Sequence, residues 1–410
     1  MSNRISLEYY PILKEEKLQD SIQAIKNSKE KWDPPFFSDT TSYIDMSKII
    51  STTSEFTGEK TENIIVLGTG GSIQTLLAIK HLAKKKIHPI TSSRPAELKC
   101  CLENTLPENS VVIPISRGGE TLDVNSTIDI FVKRGYNFLG LSERGTMNGM
   151  LKKIKSSILG VPDLSGRFAG SISNVGIVPA YIAGINVENF LSGLKEGYSS
   201  YMIHNANIAL EFATFLFDLY KRNYKVAFSM PYSKYLEGSV GLFIQEISES
   251  TGKDEKGIIG AFQSAPLCQH SVLEYLLGGL KGAVVPLLWT LESVIDDIVL
   301  ESSITYINGQ TAHSIINYQV DATFQALIEQ GVPSAKISLA TSAEYNTGIL
   351  IAFIQSVVYY LCLLLDVNWA DNPKVMIGKK ICNEALEQKL RVEERRKKRA
   401  VIAEQKFKNF

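Results

Sequence analysis

Excess charge of either sign is missing. The 410 residues carry 43 Lys and Arg against 43 Asp and Glu, a formal net charge of +0. A balanced chain has no electrostatic pull on phosphate backbones or anionic lipid, so neither nucleic acid nor membrane is expected as a partner. Cysteine is scarce. Cys100, Cys101, Cys268, Cys362 and Cys382 are odd in number and form no CxxC pair, so a full disulfide framework is not expected. No HExxH and no clustered His and Asp spacing is present, and no metal is expected either. The first residues, MSNRISLEYYPILKEEKLQD, lack the apolar stretch of a secretory signal. Long apolar runs are rare as well. GILIAFIQSVVYYLCLLL, Gly348 to Leu365, carries no charge and is at the margin of membrane-spanning length. Gln355, two tyrosines and the charged context downstream favour a buried core helix. A cytoplasmic protein is the expectation.

What is present is alternation. NIIVLG, SVVIPIS and YNFLGLS are short apolar runs, and helical patterns follow the first two. YKVAFSM, GAVVPLLW and AKISLA repeat the arrangement further along. Strands alternating with amphipathic helices predict doubly wound parallel sheets covered on both faces. The expected organisation is a helical N-terminal extension over 1–50, α/β lobes over 51–195 and 205–383, and a charged C-terminal helix over 384–410.

Glycine-rich turns punctuate the first lobe. GTGGS, Gly68 to Ser72, joins a strand to a helix. Its glycines let backbone N–H groups approach an anion at a helix N-terminus, but it matches neither the dinucleotide fingerprint nor the P-loop. SRGGETLD, Ser116 to Asp123, offers two hydroxyls (Ser116 and Thr121), one cation (Arg117) and the donors of Gly118 and Gly119. That set suits a phosphate monoester, although Glu120 is a poor neighbour for a dianion unless it points away. A plain N-capped helix is the alternative. Two such turns at adjacent strand ends favour a ligand crevice. In DLSGRFAGSISNVGIVPA, Arg167 lies among small residues, where it could stabilise developing negative charge or pair a structural carboxylate.

In the second lobe, IQEISESTGKDEKG, Ile244 to Gly257, is rich in charge. Gln245 and Glu249 share one side of a helix that Gly252 would end. Glu246, Lys253, Asp254, Glu255 and Lys256 read as solvated. Glu249 could pair with Lys253 at i, i+4 for a few tenths of a kcal/mol. A carboxylate in a last helical turn is disfavoured by roughly 0.3–1 kcal/mol, which is odd for decoration and useful for a base.

Together these segments resemble the phosphoglucose isomerase family. GTGGS resembles its G-x-G-G-S turn, SRGGETLD its phosphate loop and SGRFAGSISNVGIVPA its arginine signature. QEISESTGK resembles its Q-x-x-x-E-S-x-G-K motif, APLCQHSVLEYLLGG its histidine segment and NWADNPKVMIGKK its C-terminal motif. The resemblance implies two sugar-isomerase lobes and reversible conversion of glucose 6-phosphate to fructose 6-phosphate without a cofactor. By position, Glu249 would be the base that moves a proton between C2 and C1. Arg167 would stabilise the cis-enediolate. His270, supplied by the other subunit of a homodimer, and Lys379 would assist ring opening. Gly71 and Ser72, with Ser116, Arg117, Thr121 and Gln245, would bind the sugar phosphate.

The chain also departs from the pattern. Gly118 and Glu120 stand where hydroxyl residues are usual, Asn372 replaces a glutamine and Trp369 a proline. Another phosphosugar such as mannose 6-phosphate, or a catalytically silent sugar-phosphate-binding regulator, are the alternatives.

Overall fold

NIIVL and SVVIP are buried along their whole length, as strands in the middle of a sheet covered on both faces must be. The computed structural model describes residues 4–28, 31, 44–161, 168–202, 207–279 and 281–408. They fall into two units, Met1–Ala370 and Asp371–Phe410.

The first unit begins with β1 (Ile5–Tyr10), α1 (Glu15–Ser28) and α2 (Met46–Thr57). Alternation follows, through β2 (Asn63–Leu67), α3 (Gln74–Ile79), β3 (Lys86–Ile90), α4 (Pro95–Glu103), β4 (Ser110–Pro114), α5 (Leu122–Val132), β5 (Asn137–Gly140), α6 (Gly145–Lys153) and β6 (Ser157–Ile158). Helices α7 (Asn174–Ile182), α8 (Val187–Tyr201) and α9 (Ile208–Lys221) lead to a second alternation. It comprises β7 (Val226–Pro231), α10 (Glu237–Thr251), β8 (Ile259–Phe262), α11 (Gln269–Gly278), β9 (Val284–Leu291), α12 (Ala312–Glu329), β10 (Ser334–Leu339) and α13 (Glu344–Leu365).

The sheet orders are β3-β2-β4-β5-β6 and β1-β10-β9-β7-β8. Read from the other edge, the second becomes β8-β7-β9-β10-β1, the same winding as the first. In the first sheet the fifth place is held by parallel β6. In the second it is held by β1, which runs antiparallel to β10 from Ile5↔Leu339 to Tyr10↔Ser334. The extension expected to be helical therefore begins with a strand, and the second sheet is mixed at one edge.

The apolar run lies in α13, whose 18-residue apolar window is wholly buried within the protein. It packs against α8, α9 and α10, which places a core helix between the sheets' helical layers. Each fully buried Leu, Ile or Phe in it contributes about 1.5–3 kcal/mol. The second unit holds α14 (Val375–Lys408). This helix starts earlier than the residue 384 expected, and the i, i+4 pairs Lys380–Glu384 and Arg391–Glu387 run along it.

Candidate active site

β2 and β4 pair in parallel from Asn63↔Ser110 to Leu67↔Pro114. β3 lies on the other side of β2, so the winding reverses between β2 and β4. Connections leave such a switch point on opposite faces and open a crevice at the carboxyl ends of the strands. The Gly68–Ser72 and Ser116–Thr121 turns both border it. Gly71 and Ser72 fall in a 3-10 turn, Gly70–Ser72.

The second turn is pressed against the β5–α6 connection. Gly119 has φ +72°, and a Cβ there would stand 1.9 Å from the Arg144 carbonyl oxygen. Its own carbonyl accepts from Met147 N at 3.0 Å and from Asn125 Nδ2 at 3.0 Å. Ser116 is buried, with its hydroxyl 2.9 Å from that of Thr121. Arg117 and Gly118 are exposed on the same loop. Glu120 is engaged by the next helix. Its carboxylate accepts from Thr146 N at 2.7 Å and from the Thr146 hydroxyl at 2.8 Å. That is the amino end of α6, where an acid is stabilised by the helix dipole and by free N–H groups.

α10 reaches the crevice from the second lobe. It crosses α3 so closely that a Cβ on Gly238 would lie 2.0 Å from the Leu77 carbonyl oxygen. Further along, the Gly241 position faces Gln74 at 3.6 Å and the Gly70 position faces Gln245 Nε2 at 3.7 Å. The two helices are therefore antiparallel, and α10 runs toward the carboxyl end of β2. Glu249, one turn beyond Gln245, is carried about 6 Å further along the helix axis. Gln245 Nε2 donates to Glu249 Oε2 at 3.0 Å, and both residues are half-buried.

Two of the charged neighbours, Glu246 and Lys253, are not solvated as expected, while Lys256 is exposed but anchored. Lys253 Nζ donates to the Asn368 carbonyl, and Lys256 Nζ to the Leu365 carbonyl at 2.9 Å. Both ammonium groups thus serve the carboxyl end of α13 and the residues after it, where cations are favoured. Glu246 is 0% exposed, with its Oε1 accepting from Gln355 Nε2 at 2.9 Å. Sequence reasoning missed this residue. The signal available was Gln355, a lone amide in an apolar run, which needs a buried partner.

The remaining candidates are distributed. Arg167 lies outside the described residues. The turn after it, Phe168–Ile172, packs on the glycine turn, where a Cβ on Gly170 would stand 3.0 Å from the Gly71 carbonyl oxygen. His270 is exposed on the first turn of α11, a helix that packs on α12. Lys379 is on α14, in the second unit. Among the described residues, no group of three or more His, Cys, Asp or Glu is placed to hold a metal ion.

Two equivalently wound α/β lobes with a crevice at the first switch point define the sugar-isomerase class of folds. A glucose-6-phosphate isomerase structure from Chlamydia trachomatis superposes with a TM-score of 0.75 at 17% identity, over 94% of this chain and 89% of that one. No family model matches the chain. Individual relatives do. The chain is 27% identical to a glucose-6-phosphate isomerase of Methanocaldococcus jannaschii over 337 residues, which is 78% of this chain and 83% of the relative. It is 25% identical to that of Campylobacter jejuni over 357 residues, 80% of this chain and 86% of the relative. The chain is thus similar to glucose-6-phosphate isomerases, at 25–27% identity over 78–80% of its length.

Proposed function

We propose that the protein interconverts glucose 6-phosphate and fructose 6-phosphate through a cis-enediolate, with Glu249 as the base. The observation that carries this reading is the placement of Glu249. This half-buried carboxylate on α10 accepts from Gln245 Nε2, and the Gln245 amide faces Gly70 in the turn that borders the switch point. Aldose–ketose isomerisation needs a single base that takes a proton beside a carbonyl and returns it to the neighbouring carbon. One carboxylate serves both carbons because the planar enediolate presents them on the same face.

Ser72, Ser116, Arg117 and Thr121 hold the phosphate in this scheme, with backbone N–H groups of the turns, Gly71 among them, as further donors. The hydrogen bonds of Glu120 to Thr146 support the assignment, since they engage the one acid of the loop with donors of its own. Arg167 stabilises the enediolate oxygen. His270 and Lys379 move protons during ring opening, with His270 contributed by the second subunit of a cytoplasmic homodimer. The exposure of His270 on its own chain is compatible with that arrangement. The route calls for no cofactor.

The test is Glu249→Gln in a coupled assay for glucose 6-phosphate. We expect kcat to fall about 10²- to 10⁴-fold, the range for a general base, with the fold retained. Wild-type kcat in this variant rules out the assignment.

A second reading concerns the substrate. A Cβ at Gly118 would meet nothing within 4 Å, so the loop has room where the family pattern carries a hydroxyl side chain. That space favours broader acceptance, with mannose 6-phosphate as the first candidate. A panel of hexose and pentose phosphates, ranked by kcat/KM, decides between a strict and a broad isomerase.

A further inference from the structure

Glu246 follows Gln245 and precedes Glu249 by three residues, on the helix that carries all three, yet it is 0% exposed. Fully buried carboxylates are uncommon because the loss of hydration is costly. This one belongs to a hydrogen-bonded network. Gln355, also 0% exposed, lies within α13. Its Nε2 donates to Glu246 Oε1 at 2.9 Å and approaches Ser171 Oγ at 3.1 Å. Its Oε1 accepts from the Tyr198 hydroxyl. Ser171 Oγ stands 3.2 Å from Thr75 Oγ1. Burial, with the Glu246 carboxylate adding to it, holds the Tyr198 phenol well above its usual 10, so it remains a donor.

The network joins the pieces that build the crevice. Thr75 is in α3, directly after the Gly70–Ser72 turn. Ser171 is in the Phe168–Ile172 turn that packs on it. Glu246 is in α10, between Gln245 and Glu249. Apolar packing tolerates small rotations and slides, whereas a buried hydrogen-bond network selects one arrangement. A small rotation of α10 about its axis would swing Glu249 away from the glycine turn.

We propose that Glu246 is a positioning residue. Through Gln355 and Ser171 it fixes the rotation of α10 against the glycine turn, and so sets where the Glu249 carboxylate stands. This deepens the proposed function and rests on Glu249 being the base; Glu246 itself touches no reacting atom in the scheme.

The experiment compares Glu246→Leu and Glu246→Gln in the full chain. It measures Tm, kcat and KM for glucose 6-phosphate, and amide hydrogen exchange over residues 245–251. Replacing both partners of a buried polar pair by apolar residues costs little stability, whereas removing one leaves the other unpaired. We expect Glu246→Leu, which leaves a Gln355 N–H unpaired, to lower Tm by a few degrees and to keep its KM, but to lose roughly ten- to a hundredfold in kcat at temperatures where it is fully folded, the scale for a reacting group displaced by about 1 Å. Exchange over 245–251 should quicken. Glu246→Gln keeps an acceptor oxygen for Gln355 and should recover most of kcat. Where the leucine variant does not fold, the double variant Glu246→Leu with Gln355→Leu takes its place, since removing both partners is far milder than removing one.

Wild-type kcat and exchange in the apolar variant overturn the proposal. So does a kcat loss that only tracks a fall in Tm, or one that Glu246→Gln does not recover. Failure of the isomerase reading looks different: wild-type protein would not turn over, or Glu249→Gln would be fully active. The exchange measurement judges the positioning role in either case.

Discussion

The Glu120 carboxylate accepts the backbone N–H of Thr146 at 2.7 Å, so an acid within the candidate phosphate loop is fixed to the next helix of the lobe. Two effects compete when it is removed. Loss of a negative charge near a bound dianion would tighten binding. Loss of the clamp would loosen the loop that presents Ser116 and Thr121. Glu120 is exposed, so its charge is screened, and the clamp should dominate. We expect Glu120→Ala to raise KM for glucose 6-phosphate about tenfold, or roughly 1.4 kcal/mol, with kcat little changed. Steady-state kinetics reads this directly, and a lowered KM would show that the charge outweighs the clamp.

Gly119 should tolerate no side chain. Its φ of +72° and the 1.9 Å approach of a Cβ to Arg144 O predict that Gly119→Ala destabilises by about 1–3 kcal/mol. The neighbouring Gly118→Ser meets open space and should stay within about 0.5 kcal/mol of wild type. Urea melts of the two variants test the contrast, and equal stabilities would show that the loop yields freely.

Gln245 orients the base by donating to Glu249 Oε2 at 3.0 Å. Gln245→Leu keeps the bulk and removes the donor. We expect kcat to fall about tenfold, less than the general-base loss expected for Glu249→Gln. An unchanged kcat would leave the amide as packing against Gly70.

His81 supplies a pH dependence. Its Nε2 donates to the Ser342 carbonyl at 3.0 Å, and burial holds its pKa below the usual 6.5. His88 is shifted the same way, first by burial and then by Lys80 and Lys86. The unfolded chain takes up these protons near pH 6.5 while the folded protein resists them. Their contribution is therefore complete above that pH and is lost as the pH falls toward the lowered folded values. Melting temperatures between pH 7.5 and 5.5 should decline, and His81→Gln should make the decline shallower. A slope unchanged by His81→Gln would assign the effect to other groups.

The six strands legible in the sequence, β2, β4, β5, β7, β9 and β10, hold all the inner places of the two sheets. The four not legible, β1, β3, β6 and β8, are the four edges. The difference is physical. An inner parallel strand is buried on both faces and reads as an unbroken apolar run. An edge strand is not, and β3 carries Lys86, His88 and Pro89 while β1 carries Ser6 and Glu8. Pro89 is also at home there, where a missing N–H matters least.

The candidate site divides in a similar way. Ser116, Thr121, Gln245 and Glu249 were legible because turn chemistry and helical spacing act over a few residues. Burial of Glu246 was not, because its partner Gln355 is 109 residues away. The anchoring of Lys253 and Lys256 on residues 368 and 365 was hidden for the same reason.

The pairing of β1 with β10 has a consequence for how the protein is made. Among the described residues, the strand that completes the second sheet is made before every other strand, and its partner, Ser334–Leu339, after all of them. Until then Ile5, Leu7 and Tyr9 have no sheet to join, while the first lobe's strands can all pair as they emerge. Contacts so distant in sequence must close a long loop and form slowly. The second lobe should therefore be finished only after β10 has been made. In the interval, unpaired β1 is the segment that could pair with the wrong strand.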